Sequence, residues 1–209
     1  MAGVVDGTLQ WLQSSGIFVQ KSWLTQCLAF LRETEGGGSE VGDLQRLVYE
    51  QWLFADLHEM ALPCLPHPLP PTLRGHFMLQ VNWVRDIGRP LWSQFQERTG
   101  RGSANAEVGG EEGEGAGERG RARGRGGTLW MALTDGTRQV LALEQGPLQD
   151  ITADTPPGTK VWVSGPVEVV VGTEVAVLLL RGDALGVLGG QVDALARENS
   201  ALNLLARKL

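Results

Sequence analysis

Catalysis needs a nucleophile, a base and a means of orienting them, and this chain keeps its candidate groups apart. His58, His67 and His76 are its three histidines, and none stands with a serine or cysteine in a nucleophile motif. Cys27 and Cys64 form no CxxC pair and have no histidine at ligand spacing, so neither a metal site nor a redox pair is expected. Asp135 and Asp154 sit in turn contexts, where aspartate serves the backbone. No glycine loop of the phosphate-cradling kinds follows a strand. The sequence predicts a protein that is not an enzyme and holds no cofactor.

Two stretches carry a different chemistry. "EVGGEEGEGAGERGRARGRGG" (107–127) sets Glu107, Glu111, Glu112, Glu114 and Glu118 ahead of Arg119, Arg121, Arg123 and Arg125. The four arginines are candidate nucleic-acid contacts of the arginine-glycine type. The acidic run beside them partly cancels their field, because charges within a screening length of ~10 Å act together. The net charge of −6 also argues against strong phosphate binding by the whole chain. Just upstream, "RDIGRPLWSQFQER" (85–98) offers Pro90, Leu91, Trp92 and Phe95. A tether has no need of such groups, whereas a partner anchor does. The alternative is that Leu91 and Trp92 fold back onto their own domain.

The elements that must position these residues follow from periodicity. Residues 1–62 read as three short helices. Leu9, Trp11 and Leu12 mark the first, ended by Gly16. Trp23, Leu24, Cys27, Leu28 and Leu31 mark the second, with Ser22 as N-cap. Leu44, Leu47, Val48, Trp52 and Leu57 mark the third, with Asp43 as N-cap. Helices this short must pack together or onto the segments C-terminal to them. "ALPCLPHPLPPTLRG" (61–75) holds five prolines and reads as an extended strap whose leucines are destined for burial.

Strands come next along the chain: "FMLQVNWV" (77–84), the hairpin "TLWMALTDGTRQVLALE" (128–144), "PPGTKVWVSGPVEVVV" as a pair or one bent strand, and "TEVAVLLLRG". Phe77, Trp83, Trp130 and Trp162 are the strand aromatics, with Arg138 and Lys160 the main basic residues. Trp130 and Trp162 fit either core plugs or base-stacking platforms, and the core reading is preferred. From 190 onward, Val192, Leu195, Asn199, Leu202, Ala206 and Leu209 form a heptad-like seam. It suits a helix capping the barrel or a partner-binding coiled coil.

The expected fold is therefore α+β and mainly β. A three-helix bundle (1–62) and a proline-rich connector (63–76) precede a five-stranded OB-type barrel (77–189) and a C-terminal helix (190–209). The barrel carries a long insertion after its first strand (85–127), expected to be disordered over about 99–127. No signal peptide is visible, and "VAVLLL" (175–180) is too short to span a bilayer, so no membrane is expected and the protein reads as soluble and intracellular.

This order of elements resembles the N-terminal part of the RecQ-mediated genome instability protein 1 family. The resemblance rests on "YEQWLFADL" (49–57), "LQVNWVRDIGRPLWSQFQ" (79–96), "LTDGTRQVLALE" (133–144), "DTPPGTKVWVSG" (154–165) and "VLGGQVDAL" (187–195). "PPGTK" and "VLGGQVDAL" are its specific blocks. The Tudor-domain-containing partner of topoisomerase III beta shares "TPPGTK" and "VLGG" but lacks an element like "RPLWSQFQ".

The resemblance implies a nuclear, non-catalytic subunit that binds type IA topoisomerase III, with the alpha enzyme favoured, alongside a Bloom-type RecQ helicase. The inserted loop would enter the topoisomerase gate and favour dissolution of double Holliday junctions. It implies topoisomerase contact by Pro90, Leu91, Trp92, Phe95 and Lys160. Weak DNA contact through the loop would accompany this role, while a single-strand-binding OB protein and an RNA-linked adaptor of topoisomerase III beta stand as alternatives. A second OB fold of vertebrate relatives would lie beyond Leu209.

Overall fold

The computed structural model describes residues 2–34, 41–100, 127–172 and 175–208. Helices α1 (Ala2–Ser14), α2 (Lys21–Thr34) and α3 (Val41–Phe54) are followed by a single turn, α4 (Leu57–Met60). Their apolar faces meet in one cluster containing Leu12, Leu24, Leu28, Val48, Trp52 and Met60. Each such side chain contributes about 1.5–3 kcal/mol on leaving water. Three expectations shift here. The second helix begins at Lys21, so Ser22 lies within its first turn rather than capping it. Asp43 likewise sits in the first turn of α3, where its charge complements the helix dipole. The third helix stops at Phe54 because Asp56 caps a new turn, its carboxylate accepting from the His58 amide.

The strap from 61 to 75 crosses to the barrel with Leu65 and Leu73 buried. Eight strand segments come after the helices: β1 (Thr72–Leu73), β2 (His76–Asp86), β3 (Leu129–Thr134), β4 (Gln139–Leu148), β5 (Lys160–Ser164), β6 (Val167–Val171), β7 (Ala176–Gly182) and β8 (Leu185–Gly189). They build five strands. The pairs Thr72↔Glu168 and Leu73↔Val167 run on in register to His76↔Ser164 and Gln80↔Lys160, so β1 and β2 form one bent strand against β5 and β6. The β6–β7 ladder passes into the β5–β8 ladder with a one-residue shift of register. With β2–β3 and β3–β4 antiparallel and β4–β7 parallel, the ladder returns on itself as an OB barrel. It opens at Thr72, earlier than the expected 77.

Leu79, Val81, Met131, Leu133, Val161, Val163, Leu178 and Leu180 fill the interior. That filling overturns the core reading of Trp130 and Trp162. Alternation turns both outward from strands whose inward positions are already taken, and both are partly exposed.

The C-terminal seam is interrupted. Ser200 takes an extended ψ of 151° between α6 (Asp193–Asn199) and α7 (Ala201–Ala206), and its hydroxyl caps α7 by accepting from the Asn203 amide. Leu204 and Leu205 are buried while Leu202 is exposed, so the pair of helices caps the barrel instead of presenting a continuous heptad stripe.

Candidate protein-interaction site

The insertion leaves the barrel at Asp86 and forms a helix that periodicity did not announce, α5 (Leu91–Thr99). Its signals were present: Pro90 before the first turn, Arg98 in the last and Gly100 just beyond. Gln94 holds it down. Buried at 2% exposure, its amide nitrogen donates to the carbonyls of Asp86 (2.9 Å) and Arg89 (2.8 Å). Arg98 reaches Asp154 at 2.7 Å, and Arg89 pairs with Glu97. These polar contacts fix one side of the helix.

The other side is left bare. Trp92 is 54% exposed, and Ile87, Leu91 and Pro90 are exposed with it. The Trp92 ring stacks against Phe95 with centroids 5.9 Å apart, which presets its orientation. A rigid, exposed indole on an anchored helix is what an interface hot spot requires. Of the expected contact residues, Pro90, Leu91, Trp92 and Phe95 thus share one element. Arg119, Arg121, Arg123 and Arg125 lie outside the described residues, as does nearly all of the stretch expected to be disordered.

Lys160 lies elsewhere and plays another part. It is fully buried, and its ammonium donates to the carbonyls of Leu53 (3.1 Å), Ala55 (2.8 Å) and Gly158 (2.9 Å). Neither a direct partner contact nor a solvated strand opener fits this geometry, because all three of its hydrogens are spent inside the fold. Burial pulls Lys160 down to about 8, and the Asp56 carboxylate opposes that fall. Asp56 is itself raised by burial, but bonds from Gln80 and His58 outweigh this and hold it below its usual value. Gln80 completes the joint, donating to Asp56 and accepting from the Leu57 amide.

Two glycines make the joint possible. Gly158 and Gly190 have φ of +92° and +78°, and a methyl group on either would collide with the backbone of Val192 or Leu53. Thr159 ties the two turns together, its hydroxyl donating to the Gly190 carbonyl at 3.1 Å. A second joint forms at the β3–β4 turn. Asp135 accepts from the amides of Thr137 and Arg138 within the turn and from those of Cys64 and Leu65 in the strap. Burial raises its carboxyl, yet these four amides win and hold it low. Burial pushes the Cys27 thiol up to about 11 and the Cys64 thiol to about 12, so both stay protonated and inert at neutral pH. Among the described residues no group of His, Cys, Asp and Glu could hold a metal ion, and no helix is long and apolar enough to cross a membrane.

The profile described as "RMI1, N-terminal OB-fold domain" matches residues 55–203, and "RMI1, N-terminal helical domain" matches residues 10–59. The chain belongs to the RMI1 family. It is 34% identical to RecQ-mediated genome instability protein 1 of Gallus gallus over 95% of its own length and 32% of that protein. With the Xenopus laevis protein of the same name it shares 31% over 99% of its length and 37% of that protein. The chain thus spans about a third of the length of these relatives. A shorter match, 43% over 65 residues, joins it to Tudor domain-containing protein 3 of Danio rerio. Within this RMI1-family chain, the "PPGTK" and "VLGG" blocks are the joint between bundle, barrel and C-terminal helices. The family resemblance implied partner contact for Lys160, whereas its ammonium is spent on carbonyls within this joint.

Proposed function

We propose that this chain is a non-catalytic subunit that binds type IA topoisomerase III, the alpha enzyme in preference, within a nuclear assembly containing a Bloom-type RecQ helicase. The observation that carries the reading is the bare face of α5, where Pro90, Leu91 and Trp92 stay exposed on a helix fastened by Gln94 and Arg98. The name shared by the relatives supports the genome-instability context. Docked through this face, the insertion favours one state of the topoisomerase gate by its differential affinity, promoting decatenation and dissolution of double Holliday junctions. Lys160 contributes indirectly, by setting the bundle on the barrel. The arginines of the insertion add a weak DNA contact.

The test is binding to purified topoisomerase III alpha together with decatenation of linked single-stranded circles. The chain is expected to bind and to raise decatenation. Trp92→Ala is expected to weaken binding by about 2 kcal/mol, the scale of a hot-spot residue, while stability changes by no more than about 0.5 kcal/mol. Absence of binding, or binding indifferent to Trp92, would sink the reading.

A second reading has one observation behind it. The Arg85 guanidinium lies 4.7 Å over the Trp83 ring, and the register sets Arg85 opposite Trp130, an outward aromatic group of the kind that stacks bases. Salt-sensitive binding of oligo(dT), lost with Trp130→Ala, would favour a single-strand-binding role. Preference for topoisomerase III beta over alpha would favour the RNA-linked adaptor instead.

A further inference from the structure

A pocket of about 190 Å³ opens between the insertion and the C-terminal helices. Ile87 and Leu91 line it from the insertion, and Leu204 and Leu205 from α7. An apolar cavity of about 150 Å³ accommodates a benzene ring, so this one has room for a leucine or phenylalanine side chain. Arg85 and Lys208 also line it. The Arg85 Nε is buried with no hydrogen-bond partner among the described residues, a donor that costs free energy until something accepts from it. Arg98, a third cation of the lining, is already paired with Asp154. Asp86, the acid of the lining, accepts from the Gly88 amide. That neutral amide leaves the Asp86 charge in place, so Arg85, which also lies over the Trp83 ring, and Lys208 leave one net positive charge around the apolar slot among the described residues.

Leu91 belongs to both this pocket and the exposed face that carries Trp92, so the two surfaces are continuous. We propose that the pocket receives one large apolar side chain of the topoisomerase III partner, borne next to a carboxylate that meets Arg85 and Lys208. The inference rests on the topoisomerase reading and adds to it the chemistry of the segment that docks. It also assigns a recognition role to α7, which that reading leaves as a cap. Trp92 then supplies this chain's anchor, and the pocket receives the partner's: reciprocal anchoring of this kind is common where hot spots face each other.

The experiment measures topoisomerase III alpha binding by calorimetry for the whole chain and two variants. Ala201→Leu places a larger side chain in the pocket lining at a position where leucine suits the helix. Lys208→Glu reverses an exposed charge at the rim. With melting temperatures held, Ala201→Leu is expected to raise Kd about tenfold. Lys208→Glu is expected to raise it about threefold, an effect that shrinks as salt increases.

Wild-type binding that depends on Trp92 but ignores both variants would overturn the pocket inference alone, including the case in which another part of this chain or a second copy fills the slot. Weakening by only one variant would overturn the half of the proposal that the other variant probes. Failure of the wild-type chain to bind would overturn the inference and the topoisomerase reading together.

Discussion

The Lys160 joint and the α5 face solve opposite problems with similar materials. At the joint, a charge is taken wholly out of water and every hydrogen on it is given a carbonyl. At α5, polar groups are used to hold a helix so that apolar groups can stay in water. Desolvated polar atoms demand partners within the fold, whereas solvated apolar atoms invite a partner from outside. The residues most characteristic of the family resemblance are thus the ones that build, and less conspicuous neighbours are the ones left exposed.

The sharpest way to break this contrast is Lys160→Met, which keeps the stem and removes the charge. Three buried carbonyls then lose their donor, and the chain is expected to lose about 3 kcal/mol of stability in urea unfolding. The fraction still folded should bind its partner as before. A Lys160 variant with unchanged stability and abolished binding would move the lysine back to the interface.

The next effect is its pH dependence. Burial lowers Lys160 in the fold from 10.5 to about 8, so between these values the unfolded chain binds more protons than the folded one. Stability from this group therefore rises as pH climbs from 8 towards 10.5. The raised Cys27 and Cys64 thiols act the other way above about pH 9, since they ionise only on unfolding. The difference between wild type and Lys160→Met cancels the thiols. It is expected to grow from pH 8 to 10 when unfolding curves are compared, and a flat difference would remove burial as the cause.

Gln94→Ala gives the smallest change, about 1 kcal/mol from the two lost bonds. Hydrogen exchange is the measurement of choice, because the loss should appear as faster exchange in α5 with the barrel strands unaffected. Uniform acceleration across the chain would mean that α5 is part of the core rather than a mounted anchor.

Much of the architecture was legible in the sequence because strands announce themselves by alternation. Val161 and Val163 point inward as the pattern requires, and the barrel needed only its corners resolved. The leucines of the strap were legible in part: Leu65 and Leu73 are buried and Leu69 partly so, whereas Leu62 stays exposed. The helix α5 was hidden because its buried position is held by glutamine, which no hydrophobic periodicity reports. Ser200 hid the break in the C-terminal helix for a related reason: a serine within a heptad reads as a polar face until its capping bond is seen. Lys160 was the hardest. Burial of a lysine depends on carbonyls more than a hundred residues distant in sequence, and local context contains none of that.

The insertion begins and ends at the same rung of the barrel. Asp86 is paired with Leu129, and the Ile87 amide donates to the Thr128 carbonyl at 2.8 Å. The barrel therefore meets a closed gate post rather than two loose ends, and it is insensitive to how much chain passes between them. In general, each doubling of the length of a connecting segment costs only about 0.6 kcal/mol in closure entropy. Reach is thus a parameter that evolution or an engineer can set without retuning the fold. Because α5 is fastened on the barrel side of the glycine-rich stretch, length can change there while the Trp92 face stays where it is.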